Sequence, residues 1–327
     1  MNPKRIFVVA AIAAVVYIGF AIFVFNRFEL PEMGPETIAW VVLATAAQIL
    51  SKLPFGLLFR ESVSELGLHI RVWSSFKAAL VGAGVARLIP AGGAITPVAM
   101  SWTVRDEAKG TAGAALRTVL LNYSALVIMT GVGVLFARPS DGVRLWSVSL
   151  TVLAPFAIVF GVALMFGSGL LGSVTRFFPR FLRKRLEDSV IDHLPGLESQ
   201  LWIWSRLILE AVALGIVLNA FDINVTPMET IAVFGVGSLV GGLPGTPGGA
   251  GVVEAGLVFI LAAYGYPAGQ TLAPILVFRL VSYWIPSALS MWAGGATFIR
   301  SDEAKEAVEE EESESESKSE SEESGRS

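Results

Sequence analysis

The stretch that decides the fold lies in the second half of the chain and reads G-G-L-P-G-T-P-G-G-A-G-V-V-E-A-G-L, residues 241–257. It contains two prolines, seven glycines and one glutamate, although the sequence on both sides is apolar. Proline and glycine interrupt helices, and a carboxylate is costly in lipid. We therefore expect a backbone that is broken at membrane depth, where it lies against protein or a wet cavity rather than against lipid.

The composition of the whole chain is that of a polytopic membrane protein. Of 327 residues, 54% are hydrophobic and only 16% are charged, with a mean hydropathy of +0.65, whereas soluble domains are about a quarter charged. The first apolar run follows two basic residues but is too long for the core of a typical signal peptide, so we expect it to be retained. Six apolar runs are long enough to cross a hydrocarbon core of about 30 Å: 6–25, 37–59, 111–136, 146–166, 202–221 and 272–299.

Two further apolar segments, 76–104 and 230–264, are interrupted by proline and glycine. Each has a Gly-x-Gly, then a proline six or seven residues after the second glycine, then a glycine cluster and another proline. Paired breaks of this kind are typical of an inverted repeat, whose interface holds the substrate site in many transporters. We assign the first repeat to about 1–136 and the second to about 146–299, within a membrane domain of residues 1–300. The predicted helix breaks are Pro90, Gly92, Gly93, Pro97, Pro244 and Pro247.

The basic residues predict how the chain is oriented in the membrane. Lys4 and Arg5 precede the first run, and the connection 167–201 carries five more basic residues, as cytoplasmic loops do. These positions share one side if each broken segment is re-entrant, the first entering from the cytoplasm and the second from outside. The protein is then a multi-pass protein of the cell membrane, and both of its termini are cytoplasmic. In the alternative, both broken segments cross the membrane and the chain has eight spans.

The end of the chain differs sharply from the rest. From Asp302 onward it has 12 acidic and 3 basic residues, interleaved with serine. Such a segment cannot bury apolar surface. We therefore expect residues 301–327 to form a disordered acidic tail.

Several charged side chains lie inside the apolar segments, where each costs about 2.5–3.5 kcal/mol or more if unpaired. In one interpretation Glu254 pairs with Arg279 or Arg117 and fastens the helix bundle. In the other, the arginines and free N–H groups at broken helix ends bind an anion, because arginine matches phosphate geometry and helix N-termini attract anions. The intramembrane polar residues are Arg87, Arg117, Glu210, Glu254 and Arg279, with Asn122 and Asn219.

The remaining motifs narrow the function classes. The chain has no cysteine and two histidines far apart in sequence, so we expect no metal site and no cofactor. It lacks the Gly-x-x-x-x-Gly-Lys-Ser/Thr pattern of ATP-binding loops and the His-Glu-x-x-His or Gly-x-Ser-x-Gly patterns of hydrolases. We therefore expect a transporter without catalytic residues, which binds an anion, is surrounded by membrane lipids and has no nucleic-acid partner. The alternatives are a secondary transporter for a small anion, an intramembrane enzyme acting on lipid headgroups, and a non-transporting assembly factor.

Two motifs carry a family resemblance. The stretch P-G-T-P-G-G-A-G-V-V-E-A-G-L resembles the Pro-Gly-Gly-x-Gly-x-x-Glu-Ala signature of the membrane domain of lysylphosphatidylglycerol synthases and their stand-alone flippase-like relatives. The later F-R-L-V-S-Y-W-I-P is similar to the final-span element of that family. An earlier R-L-I-P-A-G-G-A matches more loosely, since the Gly-Glu that often follows in the family is missing.

The resemblance implies a lipid flippase-like protein that moves a phosphate-containing lipid, such as a polyprenyl-phosphate-linked sugar or an anionic phospholipid, between leaflets. The soluble aminoacyltransferase domain of the fused synthases does not follow this membrane part, so lysyl-lipid synthesis is not expected. Gly248, Gly249, Gly251, Glu254 and Arg279 match the signature positions. With the two arginines inferred from membrane depth, the predicted substrate-binding residues are Arg87, Arg117, Gly248, Gly249, Gly251, Glu254 and Arg279.

Overall fold

The computed structural model describes residues 34–88, 92–137, 144–166, 195–241, 249 and 251–294, and in this part of the chain the regular structure is entirely helical. A π-helix, Leu280–Trp284, follows the last of the α-helices, and the helical stretch then continues to Gly294. The α-helices are α1 (Pro35–Leu50), α2 (Lys52–Ser64), α3 (Val72–Leu88), α4 (Gly92–Thr103), α5 (Ala112–Phe136), α6 (Arg144–Phe166), α7 (Leu197–Ala220), α8 (Pro227–Gly241), α9 (Val252–Ala263) and α10 (Ala268–Arg279).

Four helical stretches in the described residues are long and apolar enough to cross a membrane. The all-α class is thereby confirmed for these residues, and α6 corresponds to the predicted run 146–166 with a shorter apolar part, Val152–Phe166. The predicted first span, 6–25, and the acidic tail, 301–327, lie outside the described residues. The four stretches are Pro35–Ser64, Ala112–Phe136, Leu197–Ala220 and Ala268–Gly294, matching the predicted runs 37–59, 111–136, 202–221 and 272–299.

The first of these stretches is interrupted where α1 meets α2, at Ser51. Pro54 has no N–H to donate to the carbonyl of Leu50, so one helical hydrogen bond is missing there. The Ser51 hydroxyl donates to the Gln48 carbonyl at 2.7 Å and lies 3.2 Å from Glu210 Oε1. Helices α1 and α2 together still form one membrane-length stretch, Pro35–Ser64, which contains the predicted span 37–59.

The first broken segment folds into a helical hairpin of α3 and α4, here called the first hairpin. Thr96 donates to the Gly82 carbonyl at 3.4 Å, and a Cβ on Gly82 would lie 2.7 Å from Met100 Cγ. Residues at similar distances from the connection 89–91 therefore face each other, so the two helices are antiparallel. At the open end, the Arg71 N–H donates to Glu107 Oε2 at 2.8 Å. The two ends of the first broken segment therefore lie next to each other.

The second broken segment folds in the same way into α8 and α9, here called the second hairpin. Gly237 faces Leu257 across the hairpin, on either side of the connection 242–250. At the open end, the Tyr266 hydroxyl donates to the Asn224 carbonyl at 2.8 Å and to Glu229 Oε2 at 3.1 Å. In both broken segments, therefore, the two helices run antiparallel and their flanking residues lie close together.

Helix α5 lies between the two hairpins and joins their cores. Buried side chains of α2, α3, α4 and α5 form one cluster around the first hairpin, and those of α1, α5 and α7–α10 form a larger one around the second. Tyr123 of α5 packs against both clusters. Each hairpin also packs closely against a glycine of a neighbouring helix, here called a scaffold glycine. A Cβ on Gly56 would lie 2.8 Å from the Ser75 carbonyl oxygen of the first hairpin, and a Cβ on Gly133 would lie 2.6 Å from the Ala232 nitrogen of the second.

The outer face of the helices is apolar, as a lipid-facing surface requires. On α6, Phe156 and Val159 are 70% and 68% exposed, and Trp292 near the end of the last helix is 70% exposed. Large exposed apolar patches are unusual on soluble monomers. The exposed face of α6 therefore belongs against acyl chains.

Candidate functional site

Glu254, in the proline- and glycine-rich stretch 241–257, has two partners. Glu254 is 2% exposed, and its Oε2 accepts the Gly251 N–H at 2.7 Å, which caps the first turn of α9. Its Oε1 accepts Arg279 Nε at 2.7 Å. Gly251 and Gly249 have φ of +82° and +68°, a conformation that favours glycine. The glycines therefore shape the backbone, while the carboxylate ties α9 to α10.

A second buried carboxylate collects several donors between α2 and α7. Lys52 is fully buried, and its Nζ donates to Glu210 Oε1. The Ser51 hydroxyl and Arg206 Nη2 reach the same oxygen at 3.2 Å and 3.3 Å. The Arg206 guanidinium also lies 4.2 Å from the ring centroid of Phe55, a favourable cation–π distance. Glu210 therefore holds two cations in place at once.

Arg87, near the end of α3, lies between these two ion-pair groups. It interacts electrostatically with Glu210, Arg206 and Arg279, yet it forms no ion pair with any described residue. Its Nη1 is buried without a hydrogen-bond partner, and so are Nε and Nη1 of Arg206. We call the whole group the cationic cluster; it comprises Lys52, Arg87, Arg206, Glu210, Glu254 and Arg279.

The cationic cluster has more positive than negative groups. Four basic side chains share two carboxylates, and three guanidinium nitrogens are shielded from solvent without an acceptor. A buried donor without a partner costs about 1–3 kcal/mol, and more when it is charged. A bound anion would offset this cost, because phosphate and carboxylate oxygens accept the paired N–H groups of arginine bidentately. The cluster therefore has the chemistry of an anion-binding site.

The last helix fixes one side of the cluster through its π-helix. Pro286 cannot donate to the carbonyl four residues before it, and the Ile285 N–H instead reaches the Leu280 carbonyl in the π pattern. Within this turn, the Tyr283 hydroxyl donates to the Arg87 carbonyl at 2.9 Å. The Arg279 guanidinium lies 4.6 Å from the Tyr283 ring centroid. Tyr283 thus connects the end of the first hairpin with the Glu254–Arg279 pair.

The structure brings some of the predicted site residues together and places others elsewhere. Arg87, Glu254 and Arg279 belong to the cationic cluster, whereas Arg117 pairs with Glu65 and lies 3.5 Å from the Ser62 hydroxyl. Of the two partners considered for Glu254, Arg279 is the one observed. Gly249 and Gly251 lie at the start of α9, and Gly248 is outside the described residues.

The predicted helix breaks have mixed outcomes. Gly92 begins α4, and Gly93 lies close to the Tyr123 hydroxyl, since a Cβ there would be 3.2 Å from it. Helix α4 continues through Pro97, so the prediction of a break at that residue was wrong. Proline at this position removes only its own hydrogen bond to the first turn, which leaves the remainder of α4 helical. Pro90, Pro244 and Pro247 lie outside the described residues.

Two cations of the cluster were missed in the sequence. Lys52 lies in the predicted span 37–59 and Arg206 in 202–221, so the charge of each within an apolar run was a usable signal. Glu210 was recognised as an intramembrane carboxylate but was not assigned to the site. Its pairing with Lys52, which is 158 residues away, depends on how α2 packs against α7.

The fold and the cluster define a class: an all-helical, multi-pass membrane protein in which two helical hairpins contribute to a buried cationic cluster. The family model of the lysylphosphatidylglycerol synthase TM region matches residues 6–290, and the chain belongs to this family. The resemblance seen in the two sequence motifs is thereby confirmed. A UPF0104 membrane protein of Methanothermobacter thermautotrophicus is 23% identical over 288 residues, which cover 78% of this chain and 84% of the relative.

Proposed function

We propose that this protein is a transporter that moves a phosphate-containing lipid between the leaflets of the cell membrane. One observation carries the proposal: the cationic cluster holds more basic groups than carboxylates and has three buried guanidinium nitrogens without acceptors. A phosphate headgroup would supply those acceptors. Because no ATP-binding loop occurs in the sequence, the movement is downhill or coupled to an ion. The proposed role involves no catalytic residue.

The two hairpins support a transport role rather than a purely structural one. Arg87 comes from the first hairpin and Glu254 from the second, and both reach the same cluster. In transporters with inverted repeats, interrupted helices of the two halves meet at the substrate site. We propose this arrangement here, with the first hairpin entering from the cytoplasm, the second from outside, and both termini cytoplasmic.

The topology is testable because the chain has no native cysteine. Single cysteines at His69 and Lys109, which flank the first hairpin, should react with an impermeant maleimide from the cytoplasmic side. Cysteines at Asn224 and Gln270, which flank the second, should react from outside. All four positions are exposed. If the two flanks of either hairpin react from opposite sides, that segment crosses the membrane and the eight-span arrangement replaces the re-entrant one.

The function itself is tested by leaflet exchange of fluorescent lipids in proteoliposomes, with phosphatidate, a polyprenyl-phosphate sugar and phosphatidylglycerol in the panel. The informative variants are Arg87→Gln and Arg206→Gln, because each removes a guanidinium with buried N–H groups that have no acceptor. Losing a charge-assisted hydrogen bond costs about 1.5–3 kcal/mol, so exchange should slow by about tenfold or more.

Lys109→Gln is the matched control, since it removes the same charge from an exposed turn. It should exchange lipid at the wild-type rate. If folded wild-type protein exchanges no lipid but takes up a soluble phosphate or carboxylate, the chain is a small-anion transporter. If the two arginine variants exchange lipid as fast as the wild type, the cationic cluster is not the substrate site.

A further inference from the structure

The charges of the cationic cluster also indicate which class of headgroup it accepts. We propose that it selects headgroups with two negative charges, such as a phosphomonoester or a diphosphate, over phosphodiesters with one. This inference rests on the proposed function, because it specifies the ligand of the same site.

The cationic cluster carries more positive than negative charge. Lys52, Arg206 and Arg87 surround one carboxylate, Glu210, while Arg279 is matched by Glu254. Two positive charges are therefore in excess when all six groups are ionised. A ligand with one negative charge leaves one of them uncompensated away from water, which is costly. A phosphomonoester carries about −1.5 to −2 at pH 7 and removes nearly the whole excess.

Both carboxylates are already engaged by other donors, and neither forms an ion pair with Arg87. Glu210 Oε1 already accepts from Lys52 and Arg206. Glu254 is held by the Arg279 guanidinium and by the backbone N–H at the start of α9. A shift of either carboxylate toward Arg87 would break one of these bonds without reducing the total charge. Among the described residues no third carboxylate joins the cluster, so the proposed ligand supplies the balancing charge.

The unsatisfied donors of the cluster come from two separate helices. Arg87 Nη1 belongs to the first hairpin, and Arg206 Nε and Nη1 belong to α7. An anion that satisfies both guanidinium groups needs several oxygens that carry charge. A terminal phosphate has three acceptor oxygens, whereas a phosphodiester has one fewer because a second ester bond replaces it. The donors and the charge excess thus favour the same headgroup.

The test compares two lipids that differ by a single methyl group. Dioleoyl phosphatidate is a phosphomonoester, and dioleoyl phosphatidylmethanol is the corresponding phosphodiester. Binding of each to the full chain in detergent is measured by native mass spectrometry at pH 8, above the second ionisation of a phosphomonoester at about 6. Wild-type protein should bind phosphatidate at least about tenfold more tightly, and Lys109→Gln should keep this preference. In Arg87→Gln and Arg206→Gln the preference should fall to about threefold or less.

The outcomes separate this inference from the proposed function. If both lipids bind equally and both are lost in Arg87→Gln, the selection for two charges is overturned while lipid binding by the cluster stands. If neither lipid binds folded protein, both proposals fail. Inorganic pyrophosphate, titrated separately, provides the third comparison. If it binds and phosphatidate does not, selection for a doubly charged phosphate is supported and the lipid is overturned as its source.

Discussion

The first and second hairpins have the same architecture but present opposite electrostatics. Each consists of two antiparallel helices, and each rests on a scaffold glycine, Gly56 or Gly133, that contacts backbone. The first ends near Arg87, whose Nη1 has no partner. The second contributes Glu254, whose two oxygens both accept hydrogen bonds. The first hairpin thus provides a cation with an unsatisfied N–H group, whereas the second provides a carboxylate whose hydrogen bonds are satisfied.

This difference separates residues that hold the protein together from residues that are free for a ligand. A group with every hydrogen bond satisfied contributes mainly to stability, whereas a buried group without a partner lowers stability and persists where it serves another purpose. The two hairpins should therefore respond differently to mutation.

The largest effect is expected for Glu254→Gln. Glutamine can still accept the Gly251 N–H, but it leaves Arg279 without a carboxylate, and breaking a buried ion pair costs about 3–5 kcal/mol. Unfolding by sodium dodecyl sulfate titration should show this loss. The double variant Glu254→Gln/Arg279→Met should recover part of it, because it removes the unpaired charge. Wild-type stability in the single variant would contradict the structural role of the second hairpin's carboxylate.

The two scaffold glycines should give a smaller, matched loss. A Cβ at Gly56 or Gly133 would lie 2.8 Å or 2.6 Å from backbone atoms that cannot rotate away, so alanine at either should cost about 1–3 kcal/mol. Gly256→Ala is the control, since its Cβ would be 3.7 Å from Val240 Cγ1, and should be neutral or slightly stabilising. Loss at only one of the two scaffold glycines would show that the hairpins are not held equivalently.

The start of the second hairpin has a helix cap of its own. Helix α8 starts with a local capping box, in which Thr226 N–H donates to Glu229 Oε2 at 2.8 Å and Glu229 N–H donates to Thr226 Oγ1 at 3.3 Å. We expect Thr226→Ala to cost about 1 kcal/mol, measured by the same unfolding titration. Thr226→Ser keeps the hydroxyl and should be close to wild type. Equal losses in both variants would mean that the cap does not stabilise α8.

The smallest effect on stability, with the largest on transport, is expected for Arg87→Gln. Removing this cation relieves the cost of its burial and the repulsion from Arg279 and Arg206, but it also loses the attraction to Glu210. The free energy of unfolding should therefore change by about 0.5 kcal/mol or less, or rise. Lipid exchange by the same preparation should nevertheless fall by about tenfold or more. A destabilisation as large as that of Glu254→Gln would show that Arg87 is structural and would remove the contrast between the hairpins.

Part of this arrangement was predictable from the sequence. Proline and glycine spacing located both hairpins, and the cost of charge in lipid identified Arg87, Glu254 and Arg279. The same criterion, applied along every apolar run, would also have found Lys52 and Arg206. A charged residue within an apolar run is a local feature of the sequence, so it can be identified without knowledge of the tertiary contacts.

The partners of these charges were not predictable in the same way. Arg117 and Arg279 are both intramembrane arginines, and only packing shows that one meets Glu65 and the other Glu254. The break at Ser51 and the continuation of α4 through Pro97 likewise depend on which carbonyls find other partners. Such outcomes are set by contacts between residues that are distant in sequence.

The π-helix Leu280–Trp284 changes the direction in which the later side chains of the last helix point. In an α-helix each residue advances the azimuth by about 100°, so a turn that accommodates one extra residue changes the side on which every later residue emerges. Ser290, six residues beyond Trp284, packs against Gly84 of the first hairpin. Regular α geometry throughout would direct Ser290 to a different neighbour. The extra residue of the π-helix therefore determines which side chains of the last helix face the first hairpin.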